Sequence, residues 1–437
     1  MKAGLASRIH GQRGAATLVV VMMLFLIMAL LAAYANRSLL FEQRISSSYY
    51  RASMAQEMAE GGLDWTVAML NGTATNESCE AVATNGKRFV DRYLNISATD
   101  REIQRKSTIR NLTKANVDCV RSDTGLVCHC PEPDAYSPQA AIATGGPVQP
   151  SVAVSMFFES TRQFAGFGIQ SHGCSDSSVA NCARAVDMSQ AAISSAVQNA
   201  TVALVSAVPA SPGGALTVKG TLTTAGAGGL GLHNTDSKSA GTLVVSGGAA
   251  PTLDDQRMDS VPGTPASAAR VFNDQQLTTM SSDRVFQVFM GVTPSRYKNH
   301  PALRKINSGT CAANCAQELK EAYDAGKRMV WIEGNMTMAS NVIIGTVTDP
   351  MLIIVDGDAT LSGPFQLTGM LVAKNLTWTN TSGLTSMING SVLVTGDMSA
   401  TGQMDIQYLQ PVADQLRNRL GSFVRVSGSW IDTTVNQ

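Results

Sequence analysis

Charge is scarce in this sequence. Asp, Glu, Lys and Arg make up 15% of the 437 residues, well under the roughly 25% of ordinary soluble proteins. The 33 basic and 33 acidic residues cancel. No nucleic acid is expected as a general partner, since that role calls for a clustered basic excess. Aromatics are few, at 5%. Histidine is rarer still: His10, His129, His172, His233 and His300 stand scattered, without partners at the spacings of metal or catalytic motifs. The glycine-rich run at 226–231 has no following lysine and no helix start, so it is not a phosphate loop. Asp356-Gly357-Asp358 pairs two carboxylates as a calcium site would, yet lacks the further ligands of a binding loop. No active site emerges, and no enzyme activity, cofactor or metal is expected.

The longest gap in charge lies near the N-terminus. Residues 15–36 are 22 positions without Asp, Glu, Lys, Arg or His. As a helix they span about 33 Å, matching a bilayer core of about 30 Å. Lys2, Arg8 and Arg13 precede them with no acid, which predicts a cytoplasmic N-terminus. Beyond the span, Phe41, Ile45, Tyr49, Ala52, Ala55, Ala59, Leu63, Val67 and Leu70 recur at steps of three and four. That is one apolar helix face. Glu42, Arg44, Ser47, Arg51 and Glu57 occupy the other. One rod over 15–70 is expected, with Gly61-Gly62 as a weak point in it.

A short basic leader ending in Gly14, small Ala15, an apolar helix and the closing Ala59-Glu60-Gly61-Gly62-Leu63 resemble the type IV pilins. Residues 13–65 are most similar to the PilX-like minor pilins. The resemblance implies cleavage by a prepilin peptidase after Gly14 and methylation of the new N-terminal Ala15. It implies an inner-membrane, single-pass precursor with its C-terminal head in the periplasm, later drawn into an extracellular pilus. There, the apolar helix 15–35, with Thr17, Val19, Met22, Phe25 and Leu30, would pack against other pilins in the filament core, with help from the pilus assembly machinery. The implied role is structural: assembly or initiation of the pilus, surface adhesion and twitching motility. Major pilins carry glutamate as fifth mature residue, where this chain has Val19. That departure fits a tip component and speaks against the main filament subunit. The alternative in the same class is a GspK-like tip pseudopilin of type II secretion, a kind that binds calcium.

Other readings of the N-terminus compete. Ala33-Tyr34-Ala35 has the small-x-small form of a signal-peptide cleavage site, but the apolar run exceeds the roughly 7–15 residues of such signals. A plain membrane anchor accounts for the span but not for the glycine-ended leader. A membrane-anchored or secreted β-solenoid with carbohydrate or enzyme activity would need a carboxylate cluster on one solenoid face, and none is visible.

The eight cysteines follow the span: Cys79, Cys119, Cys128, Cys130, Cys174, Cys182, Cys311 and Cys315. An even number beyond a membrane segment predicts disulfides. Cys174 with Cys182, and Cys311 with Cys315, are candidate local loops; the other four allow three connectivities. Cys128-His129-Cys130 is too tight for zinc spacing. Residues 71–133 are polar and irregular, and the cations Lys87, Arg88, Arg92, Arg101, Arg105, Lys106, Arg110, Lys114 and Arg121 are interleaved with Asp91, Asp100, Glu102 and Asp118. Such a mixed-sign run, with Phe89 and Tyr93 as its aromatics, reads as solvated surface. Residues 131–150 read as a linker, and 152–158, leading to Phe164, as a strand.

The distal half repeats. Gly334-Asn335, Gly357-Asp358, Lys374-Asn375 and Gly396-Asp397 each follow an apolar run, with starts 23, 17 and 22 residues apart. Strand, Gly-Asx turn and strand at this spacing suit β-solenoid rungs, glycine removing the steric cost of the corner. Residues 216–223 and 242–246 fit the same stack, 266–290 and 312–327 read as helical, 409–420 as a short helix and 422–430 as a last strand. A sandwich of hairpins is the alternative. The expected fold is α+β: leader 1–14, transmembrane and amphipathic helix 15–70, a disulfide-bearing α+β region 71–200, and a β-rich repeat domain 201–437 with a helical insertion at about 266–328.

Overall fold

The computed structural model describes residues 13–106, 117–123, 125–133, 149–158, 165–177, 193–225 and 229–431. Outside them fall leader residues 1–12, Arg110, Lys114, most of the 131–150 segment, Phe164, Cys182 and glycine-run residues 226–228. The chain is α+β, a long N-terminal apolar helix followed by a large strand-rich region. The helix Arg13–Leu70 has 58 residues, about 87 Å at 1.5 Å per residue. It passes through Gly61 and Gly62 without a break. It ends where Asn71 turns its amide back, Nδ2 donating to the Val67 carbonyl at 2.8 Å.

The last third of the helix lies on an antiparallel sheet. Its strands run in the order Gly421–Arg425, Ser195–Ser206, Gly166–Cys174, Ser151–Phe157, Val117–Ser122, Gly125–His129. Met58, Leu63 and Leu70 bury against Val152, Val154, Ile169, Val202 and Phe423, with Phe89 and Tyr93 closing the side. Disulfides pin the margin: Cys119–Cys128 bridges the last two strands and Cys79–Cys130 ties in the segment after the helix. Buried Arg92 holds that loop through the carbonyls of Asn76, Thr75 and Cys130.

Between two strands of this sheet the chain makes a long excursion. Ser206 and Gly421 are paired across the ladder, and Ala207 N donates to the Leu420 carbonyl at 2.8 Å. Residues 207–420 therefore leave and return at neighbouring points. The strand Ser195–Ser206 runs across the expected 200/201 boundary, and the C-terminal strand rejoins the earlier sheet.

The excursion is built of parallel strands. In the longer sheet Arg304–Asn307, Met329–Glu333, Met351–Val355, Gln366–Ala373, Met387–Val394, Met404–Gln407, Leu230–His233 and Met258–Asp259 follow one another. The shorter sheet runs Met336–Met338, Asp358–Ser362, Asn375–Asn380, Met398–Gly402, Leu222–Ala225. Parallel pairing rules out the hairpin sandwich for these strands. Leu216–Val218 joins the stack, parallel to Met387–Val394 and to Val244–Ser246. The longer sheet is buried on both faces, as parallel sheets are. Val330, Ile332, Ile353 and Leu371 point into the space shared with the shorter sheet, where Met336, Ala359, Leu376 and Met398 meet them. Trp331, Leu352, Ile354 and Met370 point the other way, under the helices Ser282–Met290, Pro294–Tyr297 and Gln410–Asn418.

The 266–328 segment is not helical throughout. It holds Gln275–Thr279, Ser282–Met290, Pro294–Tyr297, Ser308–Cys311 and Ala316–Asp324, but also Arg270–Val271 and Arg304–Asn307, which join the longer sheet. Only Ile306 of the latter is buried, so its apolar signature was too short to read. Beside it, the Cys311–Cys315 disulfide lies against the first strand of the shorter sheet, Cys315 N donating to the Thr337 carbonyl at 2.8 Å.

A file of Asx side chains runs along the corner between the sheets. Asn335 Oδ1 accepts from Asp358 N at 2.9 Å, Asn375 Oδ1 from Asp397 N at 2.9 Å, and Asp397 Oδ1 from Thr221 N at 2.7 Å. Gly357, Gly396 and Gly220 precede those amides, and a Cβ on them would stand 2.4, 2.3 and 2.2 Å from the accepting oxygens. Where Lys374 replaces glycine the contact changes: Asn375 reaches Asp358 Oδ1 with its side-chain Nδ2, at 2.7 Å.

Candidate functional site

The helix has two halves with opposite surroundings. From Gly14 to Tyr50 every side chain described is exposed. Val19 is 51% exposed, Met22 67%, Phe25 69% and Leu30 63%, so this apolar surface meets nothing in the molecule itself. Thr17 donates its hydroxyl to the Gly14 carbonyl at 3.1 Å, inside the first helical turns. Among the described residues this is the one helix long and apolar enough to cross a membrane, by length and composition. The amphipathic stripe divides too. Ala55, Ala59, Leu63 and Leu70 are buried on the sheet, whereas Phe41, Ile45 and Tyr49, on the same face, stand open.

Docking depends on two glycines, one on each element. A Cβ on Gly173 would sit 1.9 Å from the Ala55 carbonyl oxygen and 2.5 Å from Ala59 N; one on Gly62 would sit 2.3 Å from Ser171 Oγ. At Gly173 the strand backbone meets the helix backbone, and at Gly62 the helix backbone meets the Ser171 and Val152 side chains, because neither glycine carries a side chain. Gly61, by contrast, faces open space. Thr66 donates to the Gly62 carbonyl at 2.7 Å in this buried seam. At the helix end Asn71 pairs doubly with the C-terminal strand, Nδ2 to the Phe423 carbonyl at 2.9 Å and Oδ1 from Phe423 N at 2.8 Å. Asp64 and Arg425 add an ion pair at 2.7 Å. Sequence reasoning missed Asn71 and Gly173, because their partners lie far along the chain.

The titratable groups form one notable cluster, at the far end of the stack. His233 Nδ1 lies 2.8 Å from Asp259 and Nε2 3.2 Å from Asp405, which also receives Arg257 at 2.7 Å. The Asp405 hydrogen bond, opposed by burial and helped by Asp259, raises the His233 pKa above its ordinary 6.5. Asp358 of the Asp356-Gly357-Asp358 triplet belongs to the Asx file instead. Among the described residues no three His, Cys, Asp or Glu converge to hold a metal. Cys174 is buried at the end of its strand; its candidate partner Cys182 lies outside the described residues.

Residues 13–64 match the family model described as PilX N-terminal. The N-terminal helix is therefore similar to that of the PilX-like pilins. Among solved structures, the competence-associated pilin ComZ from Thermus thermophilus is similar at 10% identity over 87% of this chain and 97% of that one. The TM-score is 0.21, and that likeness carries no argument here. No curated protein matches.

Gly173→Val should lower stability by about 3 kcal/mol, the upper end of the overpacking range, because helix backbone cannot move aside. Urea unfolding of the detergent-solubilised chain measures it. Gly61→Ala is the control, neutral or up to about 1 kcal/mol more stable; equal losses in both would remove the close-approach argument. A raised histidine pKa gives a contribution complete below the unfolded value and lost as pH rises through the folded one. Stability should therefore fall as pH rises above the ordinary histidine pKa of about 6.5, and fall less in His233→Gln. Identical pH profiles for the two chains would assign the dependence elsewhere.

Proposed function

We propose that this chain is a structural minor pilin, held in the inner membrane by residues 15–36 and then carried into a type IV pilus. The observation that carries the reading is the exposed apolar half of the helix, left open by a head that grips only the last third. In a bilayer that surface meets lipid; in a filament it meets the helices of other pilins, Thr17, Val19, Met22, Phe25 and Leu30 among the contacts. The open Phe41, Ile45 and Tyr49 extend the same interface up to the head. Val19 offers no carboxylate to the N-terminal amine of a subunit above, which suits a position at the tip, at pilus initiation. A GspK-like pseudopilin would share this feature. Processing after Gly14 by a prepilin peptidase, methylation of Ala15 and a periplasmic head belong to the same reading.

The parallel stack of residues 207–420 is read as a short β-solenoid, each rung one strand of the longer sheet, a Gly-Asx corner and one strand of the shorter. It meets the C-terminal end of the helix, where Lys327 reaches the Asn71 carbonyl, away from the apolar span, and this supports a role in contact with surfaces. Its adjacent ends support a self-contained unit added to a pilin head.

Mass spectrometry of the mature protein tests the first claim. A chain beginning at Ala15 with one added methyl group is expected; a start at Asn36 would identify a signal peptide and end the pilin reading. The second claim is tested by joining Ala207 to Leu420 through a short glycine turn. Cells carrying that variant should make normal numbers of pili and adhere poorly, while undiminished adhesion would remove the stack from the contact.

A further inference from the structure

A cleft opens where the helix end, the antiparallel head and the inserted stack meet. It encloses about 740 Å³ including its mouth. Its charges do not balance. Arg88, Lys327, Arg328 and Arg419 line it against two acids, Asp91 and Asp349. Arg328 grips Asp349 with both arms, at 2.8 and 2.7 Å, and its guanidinium lies 3.9 Å from the Tyr323 ring centre. Arg88 takes Asp91 at 2.5 and 3.1 Å and reaches Asp349 at 3.5 Å. Both carboxylates are thereby committed. Two cations are left with neutral partners: Lys327 Nζ donates to the Asn71 carbonyl at 3.0 Å, and Arg419 Nη1 to Gln415 Oε1 at 3.0 Å.

Half-buried Lys327 faces a neutral acceptor and the cations Arg304 and Arg88, while the carboxylate that Arg419 feels, Asp349, is already gripped by Arg328; such cations are costly unless an anion joins them. Burial, then Arg304 and Arg88, push the Lys327 pKa down, the mark of repulsion without a counter-charge. The rest of the lining mixes apolar side chains, Leu94, Ile96, Met329 and Phe423 among them, with neutral polar ones, Asn71, Thr348 and Gln415. Apolar walls with a few convergent charges, at a junction between two parts of a chain, are the usual make-up of a ligand site.

We propose that this cleft binds a small organic anion, a carboxylate or phosphate on an apolar body, with the anionic group held by Lys327 and Arg419. Lys327 and Arg419 belong to the inserted stack, while Asn71, Arg88 and Asp91 belong to the helix end and the segment after it. A bound anion joins the two and fixes the stack on the head. The site is independent of how the apolar helix is used.

Thermal unfolding of the purified full-length chain in detergent tests this. The probes are benzoate and phenyl phosphate, each compared with sodium chloride at matched ionic strength. At least one probe should raise Tm saturably, as binding to the folded state requires, and the responding probe identifies the head group. Lys327→Met and Arg419→Gln should each weaken that response about tenfold or more, the loss of one charge-assisted hydrogen bond. If one variant fails to fold, the other carries the comparison. No shift beyond chloride with either probe overturns the proposal, as does an undiminished response in a folded variant.

Discussion

A helix whose first 37 or so described residues are exposed, and mostly apolar, cannot be left in water. At about 25 cal/mol per Å² of apolar surface, such a rod demands lipid or other helices along its outer length. The rest of the molecule is arranged around that demand. Burial begins only at Ala55, so the head takes no part of the outer surface for itself. What it takes, it holds at close range: Gly173 lets strand backbone meet helix backbone, and Gly62 lets the Ser171 and Val152 side chains reach the helix backbone. The seam leaves little freedom in the height and rotation of the helix on the sheet. The face presented by Phe41, Ile45 and Tyr49 is thereby set as well.

The second constraint is that a parallel sheet needs cover on both faces. The inserted stack meets it with the shorter sheet on one side and helices on the other, which is why Met351–Val355 is buried at every position. Its corners are where the sequence is least free. Glycine at 220, 357 and 396 admits the Asx oxygen of the neighbouring repeat onto a backbone amide; Lys374 does not, and there the side chain of Asn375 takes over. The same repeat survives a substitution because its Asx side chain can both donate and accept.

Much of this could be read from the sequence where the signal is local. The uncharged run, the three-and-four spacing up to Leu70 and the Gly-Asx corners each lie within a few residues of one another, and each has a structural counterpart. What depends on distant partners could not be read. Nothing near Gly421 announces that it pairs with Ser206, and the one buried residue of Arg304–Asn307 carries no periodicity. Gly61 and Gly62 look alike as helix weakeners, yet only Gly62 meets the sheet. The cysteines Cys79, Cys119, Cys128 and Cys130 fit three pairings by number, and only the fold selects Cys79–Cys130 with Cys119–Cys128.

Asn71 shows how the two halves of the design are joined. Its side chain caps the helix end through the Val67 carbonyl and pairs both its amide groups with Phe423 of the C-terminal strand, while its backbone carbonyl accepts from Lys327 of the stack. Because Phe423 lies two residues beyond the return at Gly421, the same contact fixes the helix end and the exit of the excursion. The ion pairs of Arg88 with Asp91 and Asp349 then bind the segment after the helix to the stack. Strand pairing at Ser206 and Gly421 anchors the stack at one place, and these ion pairs anchor it at another. Two separate anchors oppose rotation where one would permit it. The stack is thus held in a defined direction relative to the helix, as a head must be if a fixed axial position is to present a fixed surface.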